Sequence, residues 1–199
     1  MCDVRKTTAS IFAAFILVLG CWSQDKPVLS HSPLSEDQLS VYRGFLDKFS
    51  SLHFRNLANL TVPFDFKGFP EGRPCLRGIE LENVSEPLRT AHTFGPEITK
   101  GLDLRLVDPL EQGKLLQQRD ASSGNQKGKL AEDGQKTSTE LNFLVLSEIA
   151  FDTRHQFAVL KYLVVCGQHC LIGATLVMER VEGKWTTSSR RPCAMFVGN

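Results

Sequence analysis

Cys166 and Cys170, with three residues between them, are the pair in this sequence best suited to chemistry. The pair could close a disulfide, work as a redox couple, or bind zinc together with His169. Structural zinc usually takes four ligands in two close pairs, and no second such pair occurs in the sequence. Thioredoxin-like redox couples have two intervening residues at the start of a helix. We therefore predict a structural disulfide, and we assign no catalytic, metal or cofactor site.

Cys75 and Cys193 are the other two cysteines expected in the folded part of the chain. An even number of cysteines in an exported protein indicates oxidised pairs. A bond between Cys75 and Cys193 would close a much longer loop than Cys166–Cys170, and would therefore stabilise the fold more. The alternative is that one of these two thiols stays free.

Glu148 is the acidic residue whose position could give it a function. It lies in the first of four strand-like segments near the C-terminus, on the face opposite the apolar residues of that segment, which are Phe143, Val145, Ile149 and Phe151. We expect its side chain to be exposed to solvent; an inward carboxylate is the alternative, and it would be a candidate acid. Four histidines have no spacing that connects them to a carboxylate or a nucleophile, and we expect surface or packing roles for them: His53, His92, His155 and His169.

The segments that must position these residues begin after a predicted export signal. Two basic residues precede an apolar run at 11–20, which is too short to cross a bilayer, since a spanning helix needs about 20 residues. We predict a signal peptide at 1–21. Two processing routes fit it. The sequence VLGC at 18–21 resembles a lipobox, in which Cys21 would carry lipid and tether the protein to a membrane surface; an ordinary signal peptidase would instead cut before Gln24.

The remaining composition indicates one folded domain without a charge surplus. The chain carries 23 basic and 22 acidic residues, and removal of 1–21 takes away two basic residues and one acidic residue, leaving 21 of each. Nucleic-acid-binding proteins usually have a basic surplus, so we expect no nucleic-acid partner. We expect a flexible tether at 22–34 and a single domain at 35–199. Within that domain, residues 119–139 are almost without apolar side chains and predict a mobile loop.

The N-terminal helix has the clearest pattern in the chain. Ser35 and Gln38 fit a capping box, in which each side chain bonds to the backbone of the other residue. The apolar residues that follow recur every three or four positions: Leu39, Tyr42, Phe45, Leu46, Phe49 and Leu52. The pattern predicts a helix from about Asp37 to Leu52 that packs its apolar side on a sheet.

The C-terminal third predicts an antiparallel meander of four strands. The strand-like segments are separated by turn-forming residues and lie at 142–152, 156–166, 170–181 and 184–189. A three-residue loop at 167–169 would place Cys166 opposite Cys170. The same register pairs apolar residues on one face, as the two-residue period of strands requires: Ala158 with Met178, Leu160 with Leu176, Tyr162 with Ala174, and Val164 with Ile172. The opposite face, which includes Lys161 and Thr175, should be at least partly solvated.

These elements together predict an α+β fold. The N-terminal helix packs on a curved, mostly antiparallel sheet that ends in the four-stranded meander. The alternating segment at 102–108 should form an edge strand, and a short helix should follow it at 108–118.

Several blocks of the sequence resemble an uncharacterised family of exported bacterial proteins. They are YRGFLDKF, NLTVPFDF, CLRGIELE, LRLVDP, LSEIAFDTRHQFAVLKYLVVCGQHC and the closing GKW, and they cover most of the chain after the signal. The family's distinctive hairpin has a CGxxCGxG-like turn. In this sequence, Leu171 occupies the position of the glycine that follows the second cysteine in that pattern. The resemblance implies export and an α+β fold, and it implies no activity. A looser likeness is to NTF2-like and cystatin-like domains.

These features favour a non-catalytic module of the cell envelope that binds a ligand or a partner protein between the helix and the curved sheet. A small NTF2-like enzyme, a hydrolase or an isomerase, is the alternative, and it requires a pocket lined by Glu148, His155 or Tyr162. A structural surface lipoprotein, with lipid on Cys21 as its only membrane contact, is a third possibility. The periplasm, the cell envelope and the extracellular space all fit the export signal.

Overall fold

The computed structural model of the chain describes residues 28–30, 33–49, 55–64, 74–82, 90–124, 140–167, 170–190 and 192–198. The predicted signal peptide, the candidate lipid-bearing Cys21 and the histidines His53 and His169 lie outside these residues. Part of the predicted tether lies inside them, and Val28–Ser30 forms a strand there. In the described ranges, no helix has both the length and the apolar composition to cross a membrane.

Two α-helices, two short 3-10 turns and ten strands make up the described chain. The helices are α1 (Glu36–Phe49) and α2 (Pro109–Gly124), and the 3-10 turns are Pro74–Leu76 and Pro96–Ile98. The strands are β1 (Val28–Ser30), β2 (Asn56–Ala58), β3 (Thr90–His92), β4 (Arg105–Val107), β5 (Phe143–Leu146), β6 (Ala150–Phe151), β7 (Phe157–Gly167), β8 (Cys170–Val181), β9 (Lys184–Thr187) and β10 (Ala194–Gly198).

The main sheet has the order β10-β8-β7-β5-β2-β4, with β6 also paired to β7 and β9 to β8, while β1 and β3 form a separate parallel pair. The α+β class is as predicted, but the sheet is mixed rather than mostly antiparallel, because β2 runs parallel to both β4 and β5. Parallel neighbours need a connection of a dozen or more residues, usually with a helix. β4 and β5 are parallel strands on either side of β2, and α2 lies in the long connection between them. Its last turn falls where the sequence predicts a loop.

α1 begins where the capping box places it. The N–H of Ser35 donates to Oε1 of Gln38 at 2.9 Å, and the N–H of Gln38 donates to Oγ of Ser35 at 3.2 Å. Its buried residues are Val41, Tyr42, Phe45 and Leu46. The last three follow the predicted apolar spacing, whereas Val41 does not belong to it, and the predicted Leu39 and Phe49 are only partly buried. The helix ends at Phe49, and the predicted end at Leu52 lies outside the described residues.

The β7–β8 hairpin has the predicted register over most of its length. The four apolar pairs are Ala158–Met178, Leu160–Leu176, Tyr162–Ala174 and Val164–Ile172. The tip differs, because a register shift between Val165 and Gly167 pairs Gly167, not Cys166, with Cys170. Two residues rather than three then lie between Gly167 and Cys170, and two-residue loops are the commonest hairpin connection.

The sheet is covered on both faces. α1 packs on the face that holds the four apolar pairs. On the opposite face, Leu116 of α2 packs against Phe143 and Val165. The face expected to be partly solvated is therefore largely buried: Thr175 has no exposed surface, and burial lowers the pKa of Lys161.

α2 continues past the short helix that the sequence predicts. Its last turn occupies 119–124, the start of the predicted mobile loop. Arg119 donates to the carbonyl of Cys166 at 2.8 Å, which ties this turn to the tip of the hairpin. Residues 125–139 lie outside the described chain.

Candidate functional site

A bulge interrupts the strand that contains Glu148. Leu146, at the end of β5, pairs with Tyr162 of β7, and Ala150, at the start of β6, pairs with Val159 of β7. Three residues lie between the two paired positions on the β5–β6 side and only two on β7, which defines a bulge. Ser147 completes the pairing at this point. Its N–H donates to the carbonyl of Lys161 at 2.9 Å, and its Oγ accepts from the N–H of Lys161 at 2.8 Å. A side-chain oxygen thus replaces the carbonyl that an unbroken strand would supply.

The bulge reverses the alternation of side chains along the strand, since one extra residue moves later positions to the other face. Before it, Phe143 and Val145 pack with α2. After it, Ile149 and Phe151 pack on the α1 side. The prediction that these residues share one face, with an exposed Glu148 opposite, is wrong. Glu148 is 4 % exposed.

Glu148 accepts hydrogen bonds from two neighbouring segments. The hydroxyl of Thr61 donates to Oε1, and the backbone N–H of His92 donates to the same oxygen at 3.1 Å. The Nδ1 atom of His92 lies 3.0 Å from each carboxylate oxygen. The His92 side chain is 13 % exposed. Both oxygens of a buried carboxylate are therefore satisfied by groups of the protein, as burial of a charge requires.

Backbone pairing brings Thr61 and His92 to the bulge. The N–H of Thr61 donates to the carbonyl of His92 at 2.9 Å. On the other side, the N–H of Val62 donates to the carbonyl of Leu146 at 2.9 Å, and that of Glu148 donates to the carbonyl of Val62 at 2.8 Å. Sequence spacing could not reveal this arrangement, because Glu148 lies 87 residues from Thr61 and 56 from His92.

Tyr42 of α1 contacts the residues around Glu148 from the helix side. Its hydroxyl donates to the carbonyl of Ser147 at 2.8 Å, and its ring packs edge-on against Phe94, with 5.0 Å between the centroids. Burial, together with the nearby negative charge of Glu148, raises the pKa of Tyr42 well above its ordinary value of 10.0. The phenol therefore stays neutral and serves as a donor. We call the group Tyr42, Thr61, His92, Ser147 and Glu148 the glutamate cluster.

The glutamate cluster allows two kinds of role. A carboxylate on Nδ1 of an imidazole favours the tautomer in which Nε2 is the basic nitrogen, as in the acid–base pairs of enzymes. The same bonds hold α1, the Thr61 segment, the end of β3 and the bulge together, which is a structural role. Among the residues that the structure describes, no three His, Cys, Asp or Glu side chains gather in a way that could hold a metal ion.

The other two residues named for a pocket lie at opposite ends of α1. Nδ1 of His155 lies 2.9 Å from Oδ2 of Asp37 in the first turn of the helix. Tyr162 packs against Phe49 in the last turn, with 5.1 Å between ring centroids. The twelve positions from Asp37 to Phe49 span about 18 Å at the rise of an α-helix. His155 and Tyr162 therefore contact α1 at separate points along the helix.

Two disulfides brace the fold. Cys75 is bonded to Cys193, with 5.3 Å between their Cα atoms, and Cys166 is bonded to Cys170, with 5.1 Å between theirs. These are the two pairs named from the sequence. Cys75 and Cys193 are buried, and Cys193 directly precedes β10.

The sequence pattern does not predict β10, which forms one edge of the main sheet. Met195 and Val197 pair with Ala174 and Ile172 of β8, so the side chains of each pair lie on the same face. Met195 is 74 % exposed, Val197 is 76 % exposed and Ile172 is 49 % exposed. We call Ile172, Met195 and Val197 the β10 edge surface. It combines apolar side chains with a strand edge that no other described strand covers.

Comparison with known proteins does not assign the chain to a family. No family model matches it, and searches of curated proteins and of solved structures give no match. The resemblance to exported bacterial proteins stays a prediction. The geometry offers two candidate sites for a function, the glutamate cluster and the β10 edge surface.

Proposed function

We propose that this protein is an exported, non-catalytic binding module that takes an extended segment of a partner protein along β10. The observation that carries the proposal is the β10 edge surface. β10 is an edge strand that carries no charged residue, and its Met195 and Val197 side chains are mostly exposed. Natural edge strands are usually protected by charges, prolines or covering segments. β10 carries no charge and no proline, and no other strand of the described ranges pairs with its free edge, which fits a surface that is covered in a complex.

The opposite edge of the sheet is built differently. β4 carries the exposed Arg105, which donates to Oδ1 of Asn56 at 3.2 Å. Next to it, Arg55 pairs with Asp103 at 3.4 Å. Charges of this kind discourage the addition of another strand. The contrast between the two edges favours a specific role for β10.

Strand addition would supply two kinds of contact. The open backbone edge offers hydrogen bonds to any extended chain, and the side chains at alternate positions provide selectivity. Burial of a side chain the size of valine or methionine contributes about 1.5–3 kcal/mol when it is complete. Met195 and Val197 are therefore the residues expected to contribute most to the affinity.

The disulfides hold β10 in place for this contact. Cys193, bonded to Cys75, comes directly before the strand. At the other end, Gly198 pairs with Leu171, which follows the bonded Cys170. A strand that is already ordered loses little conformational entropy on binding.

The same two disulfides support the proposed export. Disulfides form and persist in oxidising compartments outside the cytosol. Together with the signal-like segment at 1–21, they favour a partner in the cell envelope or the extracellular space. Lipid on Cys21 would add a membrane tether.

The glutamate cluster supports a second candidate, a small hydrolase or isomerase that uses acid–base catalysis. The observation that favours it is the carboxylate of Glu148 on Nδ1 of His92, which leaves Nε2 as the basic nitrogen. A substrate would have to reach Nε2 through the 13 % of the His92 side chain that is exposed. This candidate predicts that Glu148→Gln removes turnover, whereas the binding module predicts unchanged binding at β10.

A peptide titration tests the proposed function. The probe is a fluorescein-labelled peptide of alternating valine and threonine with serines at its ends, titrated with the oxidised protein and followed by fluorescence anisotropy. We expect binding by the wild-type protein and at least about tenfold weaker binding by Met195→Lys/Val197→Lys, because the lysines protect the edge. The matched control Leu110→Lys/Leu115→Lys adds the same charges at exposed apolar residues of α2 and should bind like the wild type.

A second probe separates strand addition from general apolar adsorption. The same peptide with a methyl group on every backbone nitrogen cannot donate a hydrogen bond from either of its edges, and we expect no binding from it. Equal binding of both peptides, or equal binding by the two lysine variants, would contradict the proposed function.

A further inference from the structure

We infer that the partner that fits the β10 edge surface is a second copy of this chain, joined β10 to β10 in antiparallel orientation about a two-fold axis. The inference rests on the proposed function, because it names the occupant of the same edge. In such a dimer the main sheet continues from one copy into the other. The same residues of both copies supply the contact, as a two-fold interface requires.

The β10 strand is complementary to itself. Residues Ala194–Gly198 carry no charge, so no like charges face each other when two copies pair. Met195 and Val197 lie two positions apart on one face. With the axis at position 196, Met195 of each copy lies opposite Val197 of the other. Ile172, paired with Val197 within each copy, extends the apolar row on both sides.

Within the described residues, this edge offers a charged partner little to recognise. Arg190 precedes the strand, but its guanidinium donates to the carbonyl of Cys75 at 3.2 Å and to that of Arg77 at 2.8 Å. These bonds hold its charge at the segment that contains Cys75. An uncharged apolar strand therefore suits the edge better than an acidic or basic one, and β10 of a second copy is such a strand.

The contact has a limited size. It consists of one pair of short strands and three apolar side chains from each copy, which places it at the lower end of specific interfaces. We therefore expect a dissociation constant of roughly micromolar order. The dimer should form reversibly and should depend on protein concentration.

Sedimentation velocity of the oxidised protein, as the cell processes it, tests the inference over about 1–200 μM. We expect the wild-type protein to pass from monomer to dimer in this range. Met195→Lys/Val197→Lys and Met195→Glu/Val197→Glu should each stay monomeric, because equal charges then meet across the axis. An equimolar mixture of these two variants should recover the dimer. The control Leu110→Lys/Leu115→Lys should dimerise like the wild type.

The outcomes separate this inference from the proposed function. A wild-type protein that stays monomeric throughout overturns the inference, and the proposed function then stands only if the valine–threonine peptide still binds. Absence of both the dimer and peptide binding overturns both. A dimer that persists in Met195→Lys/Val197→Lys uses another surface and also overturns the inference.

Discussion

Nδ1 of His92 lies 3.0 Å from each carboxylate oxygen of Glu148, although 56 residues separate the two in the chain. The contact joins the end of β3 to the bulge between β5 and β6, and it occurs inside the core. Glu148 also accepts from the hydroxyl of Thr61, so several segments depend on one carboxylate. The stability of the fold should therefore be sensitive to changes in this cluster.

Replacement of the carboxylate should destabilise the protein. Glu148→Gln keeps the shape of the side chain but replaces one carboxylate oxygen with an NH₂ group. This group cannot accept a hydrogen bond from the donor that it faces, so a charge-assisted hydrogen bond is lost. We expect the free energy of unfolding to fall by roughly 1.5–3 kcal/mol in chemical denaturation at neutral pH. The matched control is Glu182→Gln, at an exposed turn, which should change stability by less than about 0.5 kcal/mol. Equal effects of the two substitutions would refute a structural role for Glu148.

The pH dependence of stability should report Tyr42. Its pKa is raised by burial and by the charge of Glu148, so the folded state keeps a proton that the unfolded state releases near pH 10.0. The free energy of unfolding should therefore fall as the pH rises above this value, by up to about 1.4 kcal/mol per pH unit from this group. Denaturation curves from pH 8 to pH 11 should show a flatter fall for Tyr42→Phe than for the wild type.

Tyr162→Phe is the control for this experiment, because burial alone raises the pKa of Tyr162 and the residue is only half-buried. We expect it to flatten the alkaline fall less than Tyr42→Phe does. At neutral pH, Tyr42→Phe should also lose about 1 kcal/mol through the missing bond to the carbonyl of Ser147. An alkaline fall that is unchanged in Tyr42→Phe would contradict the assignment.

The hydroxyl of Ser147 should be essential to the bulge. Ser147→Ala leaves the N–H of Lys161 without its acceptor, at a cost of about 1–3 kcal/mol. Amide hydrogen exchange of Lys161 should speed up in this variant, whereas Ser147→Thr, which keeps a hydroxyl, should stay close to the wild type. Unchanged protection of Lys161 in Ser147→Ala would show that another group accepts its proton.

The two disulfides should differ in their contribution to stability. Cys75 and Cys193 are 118 residues apart, and Cys166 and Cys170 are four apart, so the first bond restricts the unfolded chain far more. We expect a loss of about 4–5 kcal/mol for Cys75→Ala/Cys193→Ala and of about 2 kcal/mol or less for Cys166→Ala/Cys170→Ala. Denaturation of both variants checks this, and the reverse order would contradict it.

The register of the β7–β8 hairpin could be predicted because both strands alternate over many residues. A slip of one position would have turned Lys161 and Glu179 toward α1, so a single register satisfied the pattern. The pairing at the tip of the hairpin could not be predicted from this alternation. There the bulge at Cys166 changes the pairing by one residue without changing the composition of either strand.

The glutamate cluster could not be predicted because it depends on short strands far apart in the chain. β3, which ends at His92, has three residues, too few to show a period, and Thr61 lies outside the named strands. The bulge left one local signal, two adjacent polar residues, Ser147 and Glu148, inside an otherwise apolar segment. That signal marks a break in alternation, but it does not identify His92 as the partner.

Hydrogen exchange of the β10 amides shows whether this edge binds an extended peptide. The oxidised protein is measured at about 0.1 μM, below the expected dissociation constant of the dimer, free and saturated with the valine–threonine peptide. We expect the amides of Ala194–Gly198 that exchange rapidly in the free protein to become at least about tenfold slower with the peptide, while those of β4 do not change. Unchanged exchange along β10 in the presence of bound peptide would contradict the claim that this edge is the binding surface.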